Sequence, residues 1–173
     1  MSTADNRRER ARSWVIGLVL VGFGAFATVF WLNRKGEVVG WNQTIQYDDF
    51  AFEVTDVRPQ TLAGTTCTVI SMNVHNRAVR VDYRFRRDIV VIEDADGNFY
   101  RVSPKAQAEL DRLRGEHDPC GKSMPAGTSC STELAFALPE QLSDPQLLIR
   151  HGGWIGALAD DLLFGRKAIR LKK

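Results

Sequence analysis

Histidine and cysteine are scarce in this 173-residue chain, with three of each. The histidines are scattered over unlike stretches, so none is placed to work as a general base beside a nucleophile. No G-x-S-x-G, H-E-x-x-H, phosphate-binding loop or dinucleotide fingerprint occurs. The chain is therefore not expected to be an enzyme. No catalytic residue and no cofactor are assigned, and a hydrolase is kept only as a third reading. No internal repeat or low-complexity segment is visible, which excludes solenoids and disordered tracts.

Charge is absent from Trp14 to Leu32, a run of 19 apolar or neutral residues. As a helix it would be about 28 Å long, close to the hydrocarbon thickness of a bilayer. Trp14 and Trp31 sit near its ends, where indoles favour the headgroup interface. Arg7, Arg8, Arg10 and Arg12 precede it, and Arg34 and Lys35 follow. That bias predicts residues 1–13 as a basic cytoplasmic tail, 14–32 as a transmembrane helix in the inner membrane, and the remainder outside. Ala25-Phe26-Ala27 also fits a signal-peptidase pattern, so secretion after cleavage near Ala27 is the alternative. The run has no cysteine to carry a lipid and no G-x-x-x-G pair to dimerise through. Arg7-Arg8 lacks the apolar residues that a twin-arginine signal needs after it.

The positive sign of the net charge of +2 comes from the first 35 residues, where six basic residues face two acidic ones. Beyond them, 17 basic residues face 19 acidic ones, so a nucleic-acid-binding domain is not implied. Residues 33–43 read as a linker broken by Gly36 and Gly40. The 130 residues from 44 to 173 are enough for one core.

Residues 44–173 alternate with the period of half-buried strands. Phe50, Phe52 and Val54 share one face, as do Ile70, Met72 and Val74. Val81, Tyr83 and Phe85 repeat the pattern, with Arg80, Arg84 and Arg86 on the opposite face. Ile89–Ile92 and Phe99–Val102 flank Asp94-Ala95-Asp96-Gly97-Asn98, a hairpin signal. Ser103-Pro104 reads as a helix start, with Ala106, Leu110 and Leu113 on its apolar face. Cys130–Phe136, Gln146–Arg150 and Lys167–Leu171 read as strands. Trp154, Leu158 and Leu162 suit a second short helix. About eight short strands with turns between them predict a mostly β, antiparallel sandwich with two short helices.

Four segments in order resemble a bacterial extracytoplasmic immunoglobulin-like family of unknown function, found in lipoproteins and single-anchor membrane proteins. They are F-A-F-E-V-T-D-V at 50–57, V-I-S-M-N-V-H-N at 69–76, V-V-I-E-D-A-D-G-N-F-Y at 90–100 and M-P-A-G-T-S-C-S-T-E-L-A-F-A-L-P at 124–139. The resemblance implies an immunoglobulin-like β-sandwich outside the membrane and suggests a binding role. It carries no catalytic residues.

Outside the inner membrane disulfides are permitted, and Cys120 with Cys130 closes the shortest loop, leaving Cys67 over. The same loop supports a second reading. His117, Cys120 and Met124 are soft donors suited to copper, so a copper-handling accessory protein is the alternative function. Arg80, Arg84 and Arg86 are the candidates for meeting an acidic partner, an anionic glycan or phospholipid headgroups, against a solvated strand face with Asp82 and Asp88 interleaved. Asp48-Asp49 and Asp94/Asp96 are read as turn residues rather than a calcium site. The expected partners are the lipid bilayer, through Trp14–Leu32, and an unidentified envelope protein, bound through a strand edge or loops.

Overall fold

A computed structural model describes residues 21–22, 24–26, 28, 36–115, 118–150 and 165–171. The chain divides into two compact units, Met1–Lys35 and Gly36–Lys173. In the first, the described residues between 21 and 28 are helical, and Thr28 Oγ1 donates to Gly24 O at 2.8 Å. Most of the expected span Trp14–Leu32, and all of tail 1–13, lie outside the described residues. Among those described, no helix is long and apolar enough to cross a membrane.

The second unit is a β-sandwich. One sheet has the order β1-β9-β8-β5-β6, the other β2-β3-β4-β7. The strands are β1 Glu37–Gly40, β2 Thr44–Tyr47, β3 Phe50–Leu62, β4 Thr65–Asn76, β5 Val90–Glu93, β6 Phe99–Arg101, β7 Ser129–Phe136, β8 Gln146–Ile149 and β9 Lys167–Arg170. Among its described residues, an α-helix, α1, spans Pro104–Arg114. The strand alternation places Phe52, Val54, Ile70, Met72, Leu134 and Phe136 between the sheets, all fully buried. The long β3–β4 hairpin is the frame. It runs in register from Phe50 opposite Asn76 to Leu62 opposite Thr65, with one shift between Val54 and Asp56. Its tight turn puts Ala63 and Gly64 at positive φ, 49° and 80°.

The helix is built as its sequence indicates. Ser103 Oγ accepts from Ala106 N at the start, Pro104 is the first helical residue, and Gly115 ends the helix at φ 67°. Its buried stripe differs from expectation. Ala106 and Leu110 pack on Leu62, Cys67, Val69 and Ala135, the outer face of the second sheet. Leu113, however, is 53% exposed, and Gln107 and Asp111 are buried instead. A stripe at 106, 107, 110 and 111 faces the sheet because Gln107 has backbone partners there.

Three strand expectations change. Residues 33–43, read as a linker, contain β1, which pairs in parallel with β9 at the far end of the chain. The first sheet is therefore mixed rather than wholly antiparallel. β2 is a further strand that the pattern did not announce. Conversely, residues 81–85 form no strand. Tyr83 makes a single bridge to Met124, Phe85 is buried, and Val81 is 57% exposed. The second helix expected around Trp154, Leu158 and Leu162 lies outside the described residues.

Gly36 opens this unit beside β9. A Cβ there would lie 1.7 Å from the carbonyl oxygen of Arg166. Gly36→Ala is therefore expected to lower stability by about 1–3 kcal/mol through backbone displacement. A reduced urea midpoint with an unchanged slope is the readout; an unchanged midpoint would mean that β1 does not dock as described.

Candidate functional site

β4 ends at Asn76, and its side chain decides what the chain does next. The residue is 1% exposed. Its Nδ2 donates to Val81 O at 2.8 Å and to Met124 O at 3.0 Å. Its Oδ1 accepts from Ala78 N at 3.1 Å, and its main chain pairs with Thr128 O and Gly127 N, both at 2.9 Å. One buried amide thus closes a turn over 77–81 and fastens it to the 124–128 loop. The capture of Val81 O explains why the alternating pattern at 81–85 gives no strand. Tyr83 and Met124 add two backbone bonds, 2.9 and 2.7 Å. The Tyr83 ring stacks on Phe50 at 3.9 Å, and burial pushes its phenol up to about 12.

The second loop is fixed by a disulfide between Cys120 and Cys130, with Cα atoms 5.7 Å apart. Cys67 is the remaining thiol, buried under α1 and pushed up in pKa by that burial. The disulfide removes Cys120 as a thiolate donor. Met124 is 5% exposed and faces the core. His117 lies outside the described residues. The copper donor set is thus not brought together among the described residues, which hold no cluster of metal-binding side chains. Asp94 does not offer a calcium site either. Its two oxygens already accept from Asp96 N, Asn98 N, Asn98 Nδ2 and the Tyr100 hydroxyl.

The arginines do not share one face. Arg87 turns inward to Asp111, at 2.8 Å, and Asp118, at 3.2 Å. Arg86 pairs with Asp88, which that contact holds below the usual carboxylate range. Arg84 Nε donates to Gly121 O at 2.7 Å, and Arg77 Nη1 to Gln46 Oε1 at 2.9 Å. Arg80 is exposed, between Val79 at 87% and Val81 at 57% exposure.

A second feature escaped the sequence pattern. On the outer face of the second sheet, Arg58 of β3 donates to Glu133 of β7 at 2.6 Å and to Asp56 at 2.8 Å. Arg114, in the last turn of α1, grips the same Glu133 with two bonds of 2.7 and 3.0 Å. Beside this network a cavity of about 310 Å³ is lined by Thr55, Ser71, Asn73, Arg114, Ser131 and Glu133, among others. The residues come from β3, β4, β7 and α1, and only the strand register brings them together. The nearby edge of β7 is capped by Gln107. Its amide donates to Glu133 O at 3.0 Å and accepts from Ala135 N at 2.9 Å, taking the place of a neighbouring strand. The pair of His75 Nδ1 and Ser129 Oγ, 2.7 Å apart, sits on the exposed part of the same face. Among the described residues no carboxylate is hydrogen-bonded to that ring.

Burial pushes the Glu133 carboxyl up, but the hydrogen bonds and charges of Arg114 and Arg58 outweigh it and leave it below the ordinary 4.5. A depressed carboxylate stabilises the fold above its unfolded pKa and loses that contribution as pH falls through the folded value. Glu133→Gln is expected to cost about 0.5–1 kcal/mol at pH 7 and to flatten the acid limb of stability below pH 4.5. Urea unfolding between pH 7 and pH 3 checks this, and parallel curves for both proteins would contradict it.

No family model matches the chain, and no curated protein matches it. Several solved structures are similar to it, two of them with a TM-score of 0.52. One is MPT63, a secreted protein from Mycobacterium tuberculosis, at 13% identity, with 78% of this chain and 97% of that chain covered and a TM-score of 0.52. The other is the yjhA protein from Bacillus subtilis, at 14% identity, with 78% and 99% covered and a TM-score of 0.52. At these identities the likeness is one of fold: this chain folds as a β-sandwich.

Proposed function

We propose that this chain is a single-pass protein of the bacterial inner membrane, displaying an immunoglobulin-like interaction domain on the outer side. The domain binds an envelope component through preformed loops and performs no chemistry of its own. The Cys120–Cys130 disulfide is the observation that carries the compartment, because such bonds persist where thiols are not kept reduced. The uncharged run Trp14–Leu32, with four arginines before it and two basic residues after it, supports the anchor and its direction. The immunoglobulin-like reading rests on the order of the four sequence segments, which correspond to β3, β4, the β5–β6 hairpin and the lead into β7. An interaction role is supported by loops that are exposed at their tips and locked at their bases, a geometry that lowers the ordering cost of binding.

The test is the fate of the full chain expressed in a Gram-negative host. It is expected to stay in the membrane pellet after alkaline carbonate, with its N-terminus intact. Protease added to spheroplasts should reach the C-terminal unit, and thiol trapping should find Cys120 and Cys130 blocked. A soluble product beginning just after Ala27, or protection of the domain in spheroplasts, would overturn the anchored reading.

A further inference from the structure

We infer that the cavity beside α1 binds an N-acetylated sugar unit, gripped through its acetamido group by the edge of β7. The inference goes beyond the loop-mediated role above and does not depend on the anchor.

The edge itself presents an amide-sized pair of backbone groups. Ala135 N and Glu133 O both turn to the Gln107 amide, and Ala135 O accepts from Ser103 N. Odd-numbered residues of β7 thus point their backbone groups away from β4, as alternation along an antiparallel pair requires. Asn76 N, which donates to Thr128 O, shows the even ones pointing the other way. The carbonyl of Ser131 and the N–H of Glu133 therefore repeat the acceptor–donor pair that Gln107 covers, about 7 Å farther along. Among the described residues nothing pairs with either. The cavity of about 310 Å³ wraps the strand at this point. Ser131 and Glu133 line it from the outer face, Thr132 and Met72 from the inner one. Thr132 is 3% exposed, and its hydroxyl has no partner among the described residues. Polar groups left open in this way call for a polar occupant. The volume is at the low end for ligand pockets and suits one sugar ring.

The chemistry of the walls narrows the occupant. Arg58 and Arg114 meet Glu133, Arg58 also meets Asp56, and Arg87 meets Asp111 and Asp118. Glu53, beyond them, accepts from Asn73 Nδ2 at 3.4 Å. Carboxylates outnumber arginines here, which disfavours an anion. The lining carboxylates Asp111 and Glu133 are both engaged by arginine, which disfavours a cation. The occupant is therefore neutral. An acetamido group supplies the amide. Its N–H donates to Ser131 O and its carbonyl accepts from Glu133 N, as the Gln107 amide does one step along. Sugar hydroxyls then meet the polar outer face. Ser131 Oγ donates to Asn73 Oδ1 at 2.7 Å and keeps a lone pair to accept with. Arg114 holds Glu133 through Nε and Nη2, which leaves Nη1 to donate. A peptide strand would need the edge on both sides. Gln107 covers one side, and the segment of Pro119 and Cys120, tied to Cys130, lies at the other.

The test uses the isotope-labelled full chain in phosphocholine micelles, whose headgroups carry no sugar. Methyl N-acetylglucosaminide, methyl glucoside and N-acetylalanine methylamide are titrated in turn, and backbone amide shifts are followed. The first is expected to move the Glu133 amide saturably, with a dissociation constant on the order of 1 mM. Methyl glucoside, which lacks the amide, should bind about ten-fold more weakly or not at all. Ser131→Phe, at an exposed position in the cavity mouth, should abolish the Glu133 shift and leave the rest of the spectrum in place. Equal binding of methyl glucoside overturns the acetamido contact. Tighter binding of the peptide amide than of the sugar assigns the edge to a peptide and overturns the inference. No saturable shift at Glu133, or one that survives Ser131→Phe, overturns it as well. So does a Glu133 amide that, without ligand, is as protected from exchange as that of Ala135, because the edge would then already be paired.

Discussion

The side-chain amide of Asn76 governs the shape of the candidate surface. Both its donors and its acceptor are used, each on a backbone group of a loop that has no strand to pair with. The buried amide of Ala78 without that acceptor would cost about 1–3 kcal/mol, whereas Met124 O keeps a second bond from Tyr83 N. Aspartate at this position would supply no donor, and a leucine would supply neither donor nor acceptor. From this one contact follow the turn at 77–81, the Tyr83–Met124 bridge and the outward placement of Val79, Arg80 and Val81. The Cys120–Cys130 disulfide then holds the second loop to the start of β7. In the chain-entropy view a short closed loop contributes about 2–3 kcal/mol. Local order at this end thus does not depend on core burial alone.

The opposite problem, an edge that must not recruit stray strands, is solved at β7. Gln107 imitates a peptide unit against Glu133 O and Ala135 N, and Ser103 N takes Ala135 O at 2.8 Å. Gln107 also donates to Asp111, which pairs with Arg87. The polar stripe of α1 therefore joins the edge of one sheet to the segment leading into β5 of the other. Arg114 and Arg58 converge on Glu133 from the helix and from β3. Within the described residues, α1 sits on the sandwich through buried polar bonds as much as through Leu110 and Ala106.

Much of this was legible from local chemistry. Period-two alternation marks β3, β4 and β7, Asp-Gly marks the β5–β6 hairpin, and Ser103-Pro104 with Gly115 marks both ends of α1. These signals lie within a few residues of the elements they define. What could not be read depends on distant partners. β1 is four residues long and exists because Lys167–Arg170 lies beside it. The run 81–85 has a strand's alternation, yet Asn76 and Met124 occupy its backbone. Leu113 has the spacing of a core residue, but the hydrogen bonds of Gln107 rotate the stripe. The Arg58–Glu133–Arg114 network needs the register of three strands and a helix, and so does the cavity beside it. The arginines at 77–87 look like one cluster in sequence; their partners divide them into paired, hooked and free members.

The central claim is that the loop end is a preformed surface rather than a mobile fringe. Amide hydrogen exchange of the full chain tests it most directly, at Ala78, Tyr83, Met124 and Gly127, the donors that fasten the two loops. The account expects protection on the order of a thousand-fold or more at these amides, comparable with core strands. The amides of Val79 and Arg80, at the exposed tip, should exchange freely. Exchange of all six at unstructured-chain rates would contradict it.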